Sequence, residues 1–464
     1  MKRRDAIRIM PLSVAGMAGM AGNVFGVEKT GKAVIGKGEP LALQYSKKVR
    51  ARLDWIHDNQ SMNLMEAAYA IADTVDRGRQ CYQHAWDAGH TEGDSWDNRN
   101  GEPEIFSTRF SIDKAKKGDL IIASGQLQWS DELAKKGVYL IGCPSSWSGD
   151  ARYPELLRDE IQEQKLRPYA DLFIENRATS LGGLVNIPGM PAPVGPVSGI
   201  VGKTTIWMML ADACRILAKK GKSVPVKGDG PAIDDSNIDW RNFSGWVKLG
   251  DPLMDDYYSE VMNQIELVFS ELGTLKKIGD MCADTALRGG IVYGYSRYNS
   301  VAGEASTRRS GLALTRGVYG GRSKPEDFTG TRNDMVVMGI TKPDDEVDLR
   351  FLDMFRQRGM KIVSLGAATR SHAVPEGRTI PKETDIHAGK MCDTYGLFAV
   401  PGFEKRICPT SGVLLDHLWW TSMMSFVESY MAKSGGDVPG FYFSGALKGG
   451  MEHLYRMQSL YDND

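Results

Sequence analysis

Two imidazoles and three carboxylates crowd one short stretch of this chain, His84-Ala85-Trp86-Asp87-Ala88-Gly89-His90-Thr91-Glu92-Gly93-Asp94. A histidine and an acidic residue held near each other can divide the work of moving a proton between adjacent carbons and opening a ring. Burial then sets their pKa values. His84, Asp87 and His90 are the candidates for that chemistry, with Trp86 and Glu92 as substrate contacts. The same three residues could instead ligate zinc or a similar ion, or stand solvated in a loop. Loop spacing does not diagnose a metal, and no cofactor is assigned.

Four tryptophans, Trp86, Trp96, Trp129 and Trp147, fall just past predicted strands in the first part of the chain. Indole faces stack on the apolar C–H faces of sugar rings, although packing between domains would use them equally well. The second part offers a different loop, Ser296-Arg297-Tyr298-Asn299-Ser300, in which Arg297 could neutralise an acidic substrate group. Ser198 and Ser411 each stand where a long helix begins. They are expected as N-caps, and a helix start can also hold an anion or a sugar oxygen. His57 and His417 fall on helices and suit packing, and His372 and His387 fall in a predicted polar loop. Met208, Met209, Met423 and Met424 lie inside apolar helices and are expected in the core.

The elements that must position these residues occur twice. Ala72-Asp73-Thr74, Arg77-Gly78 and Tyr82 return as Ala283-Asp284-Thr285, Arg288-Gly289 and Tyr293. Pro196-Val197-Ser198-Gly199 returns as Pro409-Thr410-Ser411-Gly412, Trp207 as Trp420, and Val224-Pro225 as Val438-Pro439. The offsets all lie between 211 and 214 positions, in one order. A run of matches at one offset means duplication, and the period is that of a whole domain. Shared positions are expected to be scaffold, and diverged positions to carry different jobs.

In each copy an apolar helix with three- and four-residue spacing leads into short apolar strands separated by helices, and a long helix closes the set. The first copy runs through Leu53–Val75, Gln80–Gln83, Gly118–Ala123, Val138–Gly142, a helix over Glu155–Gln164, Ala170–Ile174 and Ser198–Ala218. The second runs through Tyr257–Ala286, Gly290–Tyr293, Gly303–Arg309, Asp334–Met338, Leu349–Arg358, Lys361–Leu365, a strand over Leu397–Val400 and Gly412–Ala432. The fold class is therefore α/β. Two tandem three-layer α/β/α domains are expected, each with a mainly parallel sheet and ligands beyond the carboxyl ends of the strands. The divisions are 41–226 and 253–464, with a linker over 227–252.

At 464 residues, 42% hydrophobic and 25% charged, the chain can fill two cores. A net charge of −1 argues against a general nucleic-acid or anionic-membrane surface. None of the six cysteines forms a Cys-x-x-Cys pair, so buried free thiols are expected, with a disulfide open in an oxidising compartment. The start, Met1-Lys2-Arg3-Arg4-Asp5-Ala6-Ile7-Arg8 followed by a weakly apolar stretch, reads as a cleavable export signal over 1–26. It resembles the twin-arginine type, although Ala6 stands where a bulky apolar residue is usual. The expected location is extracytoplasmic, in the periplasm. No membrane span should remain after signal removal, and self-association of the chain is left open.

Several strings resemble the sugar isomerase (SIS) domain family. They are Tyr293-Gly294, Glu304 with Arg308-Arg309-Ser310-Gly311, Asp334 to Gly339, and Pro409-Thr410-Ser411-Gly412 before a long helix. Asp437-Val438-Pro439 with Phe441 to Gly445 is similar too, as are Ala170 to Asn176 and Gly195 to Ser198 in the first copy. The resemblance implies a tandem SIS-like protein that takes a carbohydrate small molecule, with Glu304 as a candidate base that Arg308 or Arg309 could instead tie into a salt bridge. It also implies a hydroxyl-rich phosphate turn after the second strand, and here the chain departs. The second copy reads Ile340-Thr341-Lys342-Pro343-Asp344-Asp345-Glu346, whose carboxylates would repel phosphate unless a metal or a basic residue intervened. The first keeps Ser124-Gly125-Gln126 without the following Thr. Ser124, Gln126, Trp129, Ser296, Asn299, Ser300 and Thr341 complete the candidate contacts. An unphosphorylated sugar and isomerase-type acid–base chemistry are the expectation. A non-catalytic sugar binder and a metal-assisted lyase or hydrolase are the alternatives.

Overall fold

The first repeated string is a helix stop. Helix α1 (Leu41–Asp76) buries Leu53, Ile56, Leu64, Ala67, Ala68 and Ile71 along one face, as their spacing requires. It ends where Gly78 turns left-handed at φ +66°, with Gly78 N–H donating to Val75 O and Arg79 N–H to Thr74 O. Gly289 does the same at φ +82°, with bonds to Ala286 O and, from Gly290, to Thr285 O. This is the paired-bond glycine stop that satisfies the last carbonyls of a helix, and it explains why Arg-Gly recurs.

The structure, a computed structural model, describes residues 38–84, 101–107, 110–125, 130–145, 147–228, 250–297, 299–306, 310–368, 375–389 and 396–461. After α1 come β1 (Cys81–His84), β2 (Phe106–Ser107), β3 (Leu120–Ala123), α2 (Ser130–Lys136), β4 (Tyr139–Gly142), α3 (Gln162–Leu166), β5 (Leu172–Phe173) and α4 (Ser198–Lys219). The second set opens with α5 (Leu253–Ser270) and α6 (Leu272–Leu287), then β6 (Val292–Ser296), α7 (Val301–Ala305), β7 (Thr315–Tyr319), β8 (Met335–Ile340), α8 (Glu346–Gln357) and β9 (Lys361–Gly366). It closes with α9 (Ile380–Glu383), β10 (Ile386–Ala388), α10 (Ser411–Ser434) and α11 (Gly450–Tyr461).

The two sheets have one topology. The first runs β2-β1-β3-β4-β5 and the second β7-β6-β8-β9-β10, with every pairing parallel. Both carry the same carboxylate latches at their amino edge. Asp119 accepts from the N–H groups of Gln80 and Lys116, and Asp334 from those of Ile291 and Thr331. Asp171 accepts from Leu140 N–H, and Asp385 from Ile362 N–H. Each latch joins the start of one strand to its neighbour and satisfies backbone donors that the ladder leaves over. These are two tandem three-layer α/β/α units, as the SIS resemblance implied.

The long helices of both sets pack on one another, α1 with α4, α6 with α10, and α10 with both α1 and α4. Their apolar residues merge into one core with the inner faces of both sheets. Helices α4 and α10 are buried over nearly their whole length, which is why they read as apolar all round. Met208, Met209, Met423 and Met424 lie in that core. Cys81, Cys143, Cys214, Cys282 and Cys408 are free and buried. Among the described residues no helix is long and apolar enough to cross a membrane.

Several elements differ from expectation, among them the helix expected over 257–286, which is two helices, α5 and α6, on either side of Glu271. The helix expected over 155–164 is confined to α3, because the preceding segment pairs with the other half. There Leu157 bridges Leu447, Arg158 N–H donates to Ala446 O, and Lys448 N–H to Leu156 O. The strand expected over 397–400 is only an isolated bridge between Phe398 and Ile407. The last strand of that sheet is instead β10, so His387 sits in a strand, with its ring nitrogen Nδ1 2.9 Å from Ser364 Oγ. Strands β2 and β7 were not anticipated. One is two residues long, and the other is an edge strand whose sequence, Thr315-Arg316-Gly317-Val318-Tyr319, has no apolar run. Most of the expected linker lies outside the described residues.

Candidate functional site

In a sheet of this order the crevice opens beyond the carboxyl ends of the first and third strands. In the second half that crevice lies at the ends of β6 and β8, and it is filled from within. Arg297 Nη1 donates to Asp345 Oδ1 at 2.5 Å. The same oxygen caps α8, accepting from Val347 N–H at 2.9 Å and Asp348 N–H at 3.1 Å. A helix N-terminus able to hold a phosphate thus holds a carboxylate of the chain, neutralised by an arginine of the chain. Behind it Tyr295 donates its hydroxyl to Asp348 at 2.6 Å. Burial, and then the charge of Asp345, pushes the Asp348 carboxyl up to about 7.

The polar loop expected to contact substrate braces itself. Ser296 Oγ donates to Asn299 O at 2.8 Å and accepts from Ala302 N–H at 2.9 Å. Asn299 Nδ2 donates to Gly339 O at 2.8 Å, and its Oδ1 accepts from Val301 N–H at 3.1 Å. Thr341 is buried beside them. Glu304, in α7, is 5% exposed and accepts from Trp420 Nε1 at 2.7 Å. Arg308 and Arg309 lie outside the described residues.

Ser300 belongs to the seam between the halves. Lys203 Nζ of α4 donates to Asp416 Oδ2 of α10 at 2.7 Å and to Ser300 Oγ at 2.5 Å. Ser300 Oγ in turn donates to Asp416 Oδ1 at 2.5 Å. Lys203 and Asp416 stand 213 positions apart, the offset of the repeat, so one ancestral position holds opposite charges in the two copies. Both side chains are almost wholly buried. Nearby, His417 Nε2 lies 3.0 Å from Ser46 Oγ. Burial pulls its imidazole down to about 3, so it stays neutral and packs, as expected. His57 packs too, stacked on Tyr258 at 4.0 Å.

The corresponding rim of the first half is described only in part. Asp87, His90, Trp86, Glu92, Gln126 and Trp129 lie outside the described residues. His84 ends β1, its ring 6.3 Å from that of Phe110. Ser124, just past β3, is 4% exposed, and its hydroxyl has no partner among the described residues. The side chain of Gln162 covers the following turn so closely that a Cβ at Gly125 would stand 3.3 Å from its Oε1.

Alongside lies a cavity of about 110 Å³ shared by both halves. The first half lines it with Ser145 past β4, Gln162 and Lys165 of α3, Thr179, Ser180 and the start of α4 at Ser198. The second contributes Ser310 and Ser444. Ser310 is buried at φ +65°, with its Oγ unpartnered among the described residues. It reaches the cavity wall because Gly182 has no side chain: a Cβ there would fall 1.9 Å from the Ser310 Oγ. Asp150 fixes the opposite wall, accepting from Thr179 Oγ1 at 2.8 Å and Ser180 N–H at 2.5 Å. Six hydroxyl-bearing residues therefore line one small space, beside the charged Arg158, Asp159, Glu160 and Lys165. A hydroxyl both donates and accepts, so such a wall suits a ligand that is itself covered in hydroxyls.

Ser198 lines this cavity, whereas Ser411 is buried away from it. Neither is an N-cap. The caps are Val197 and Thr410, without side-chain cap bonds, because each helix begins one residue earlier than its Ser-Gly pair suggests. Ser145, Thr179, Ser180, Ser310 and Ser444 were missed by sequence reasoning. For Ser145 a signal existed, since it follows β4 at the ligand end of the sheet. Ser310 and Ser444 come to the cavity only through the packing of the halves. Among the described residues no group of three His, Cys, Asp or Glu is placed to hold a metal ion.

No family model matches the chain, and no curated protein matches it by sequence. Among solved structures, the C-terminal domain of glucosamine-fructose-6-phosphate aminotransferase from Francisella tularensis aligns at a TM-score of 0.46 and 12% identity, over 88% of this chain and 99% of that one. The tagatose-6-phosphate ketose/aldose isomerase from Escherichia coli aligns at 0.39 and 13%, over 87% and 97%. Likeness at this level leaves the chemistry open.

Proposed function

We propose that the chain binds a sugar or sugar derivative in the cavity between its halves, on the strand ends of the first copy, and rearranges it by isomerase-type acid–base chemistry. The observation that carries this reading is the set of hydroxyl-bearing residues, Ser145, Thr179, Ser180 and Ser198 of the first half with Ser310 and Ser444 of the second, that line one cavity. Within this reading His84, Asp87 and His90 supply the proton transfers from the adjoining rim, and the sugar is unphosphorylated. The filled α8 start, where Asp345 occupies the helix N-terminus, supports that last point for the second copy.

Purified protein incubated with aldoses and ketoses in D2O tests it. The expected result is saturable binding of at least one sugar, with solvent deuterium entering the carbon next to the carbonyl. If no sugar binds at millimolar concentration, the reading fails. Binding without exchange would favour a second reading, a non-catalytic sugar binder. The engagement of Glu304 with Trp420 supports that alternative, because it takes the second copy's candidate base into the core. We also propose export through the N-terminal segment. Arg3→Lys with Arg4→Lys should hold the protein in the cytoplasm, and unchanged secretion of that variant would refute it.

A further inference from the structure

Around Trp147, close to the Asp150 that holds Thr179 and Ser180, the first copy gathers positive charge. The guanidinium carbons of Arg177, Arg52 and Arg152 lie 5.0, 5.4 and 5.5 Å from the centre of the Trp147 ring. Arg177 is also held 3.6 Å from the ring of Trp55. The indoles of Trp147 and Trp55 thus pack against arginines. Lys48 joins them one helical turn from Arg52 on α1, its ammonium bonded to Leu184 O at 2.7 Å.

These charges are poorly compensated. A guanidinium carries five N–H donors. Arg52 spends one on Arg177 O at 2.7 Å, Arg152 one on Gly149 O at 3.1 Å, and Arg177 one on Glu175 Oε1 at 3.3 Å. Asp150, the buried carboxylate of the cluster, is already bonded to Thr179 and Ser180. Four cations thus face two carboxylates among the described residues of the cluster. The crowding registers on its members: burial, against Asp150 and with Arg177, pulls Arg52 down to about 10, and burial and Arg52 pull Lys48 down. Arg177 is also held in the left-handed region at φ +54°, a conformation that is costly for a non-glycine residue. At the repeat offset, Arg52 falls on the stretch Asn263-Gln264-Ile265-Glu266, which holds no cation, so the charge at Arg52 is not shared between the copies.

We propose that Arg52, Arg152 and Arg177 form an oxyanion-binding subsite beside the cavity, shaped for a carboxylate or phosphate group. Guanidinium forks match the paired oxygens of such groups, and each arginine here keeps donors to offer. Asp150 couples the subsite to the cavity by holding Thr179 and Ser180. The subsite stands apart from the sugar reading, since it takes a free oxyanion whether or not the cavity takes a sugar.

Calorimetric titration with inorganic phosphate and with citrate at fixed ionic strength, on the full chain, tests the proposal. Saturable binding is expected, weakened at least fivefold by Arg152→Gln and partly restored by Arg152→Lys. Arg152 is exposed and makes one backbone bond, so the fold should survive, and an unchanged Tm verifies that. Lys276→Gln, a surface cation paired with Asp280 away from the cluster, should leave binding unchanged. Glucose, glucuronate and glucose 6-phosphate then distinguish the source of the group. A gain over glucose that Arg152→Gln abolishes assigns the carboxylate or the phosphate to a sugar, and phosphate or citrate binding without any such gain assigns a free anion. Absence of saturable binding by every anion, or equal loss in Arg152→Gln and Lys276→Gln, overturns the proposal.

Discussion

The two halves agree at the amino edge of their sheets and part company at the carboxyl edge. Asp119 and Asp334 make the same pair of backbone bonds, and Asp171 and Asp385 the same single bond. At the other edge the second half spends its polar groups on itself: Arg297 on Asp345, Asp345 on the start of α8, Tyr295 on Asp348. The first half leaves the hydroxyl of Ser124 without a partner among the described residues, and across the cavity that of Ser310 likewise. A duplicated fold can thus keep one edge as scaffold while the polar groups of the other edge take different partners in the two copies.

That comparison is most exposed to failure at the seam. Asp416→Ala should cost about 3–5 kcal/mol in urea unfolding, because it strands the Lys203 ammonium in the core. Replacing both partners, Lys203→Met with Asp416→Leu, should recover most of the loss. A single-variant cost below about 1 kcal/mol would mean that the opposed charges do not organise the pairing of the halves.

The closed rim makes a pH prediction. The Asp348 carboxyl, raised to about 7, keeps a proton in the folded chain that the unfolded chain releases near its ordinary value of 3.8. Stability should therefore fall as pH rises from about 4 to about 7, by up to roughly 4 kcal/mol, and level off above. Asp348→Asn should flatten that slope, and unfolding midpoints across the range would reveal it. A slope that persists in the variant would place its origin elsewhere.

Asp345→Ala removes both the α8 cap and the partner of Arg297. It should lower stability by about 1–2 kcal/mol while leaving sugar affinity unchanged. A loss of sugar affinity in that variant would turn the closed rim into a second site. Smallest in stability, and opposite in kind, is Ser198→Ala at the cavity. It should change stability by less than about 1 kcal/mol and weaken sugar binding by about 3- to 10-fold, the value of one hydrogen bond. Unchanged affinity there would remove the cavity from consideration.

The sequence alone determined that the chain is a duplication, where its long helices run, and that its sheets are parallel. Those features are written in local periodicity and in Arg-Gly stops whose glycines must turn left-handed. It also marked the strand ends as the place for chemistry. Which rim is closed was decided only in three dimensions. Arg297 meets Asp345 across 48 positions and Lys203 meets Asp416 across 213, and whether such charges face a ligand or each other is invisible to spacing. The expected helix over 155–164 failed for the same reason, since its backbone bonds went to residues 446–448 of the other half. Periodicity reports what a segment can do by itself. The partner that satisfies its polar groups is chosen by packing, which brings together residues that the chain keeps far apart.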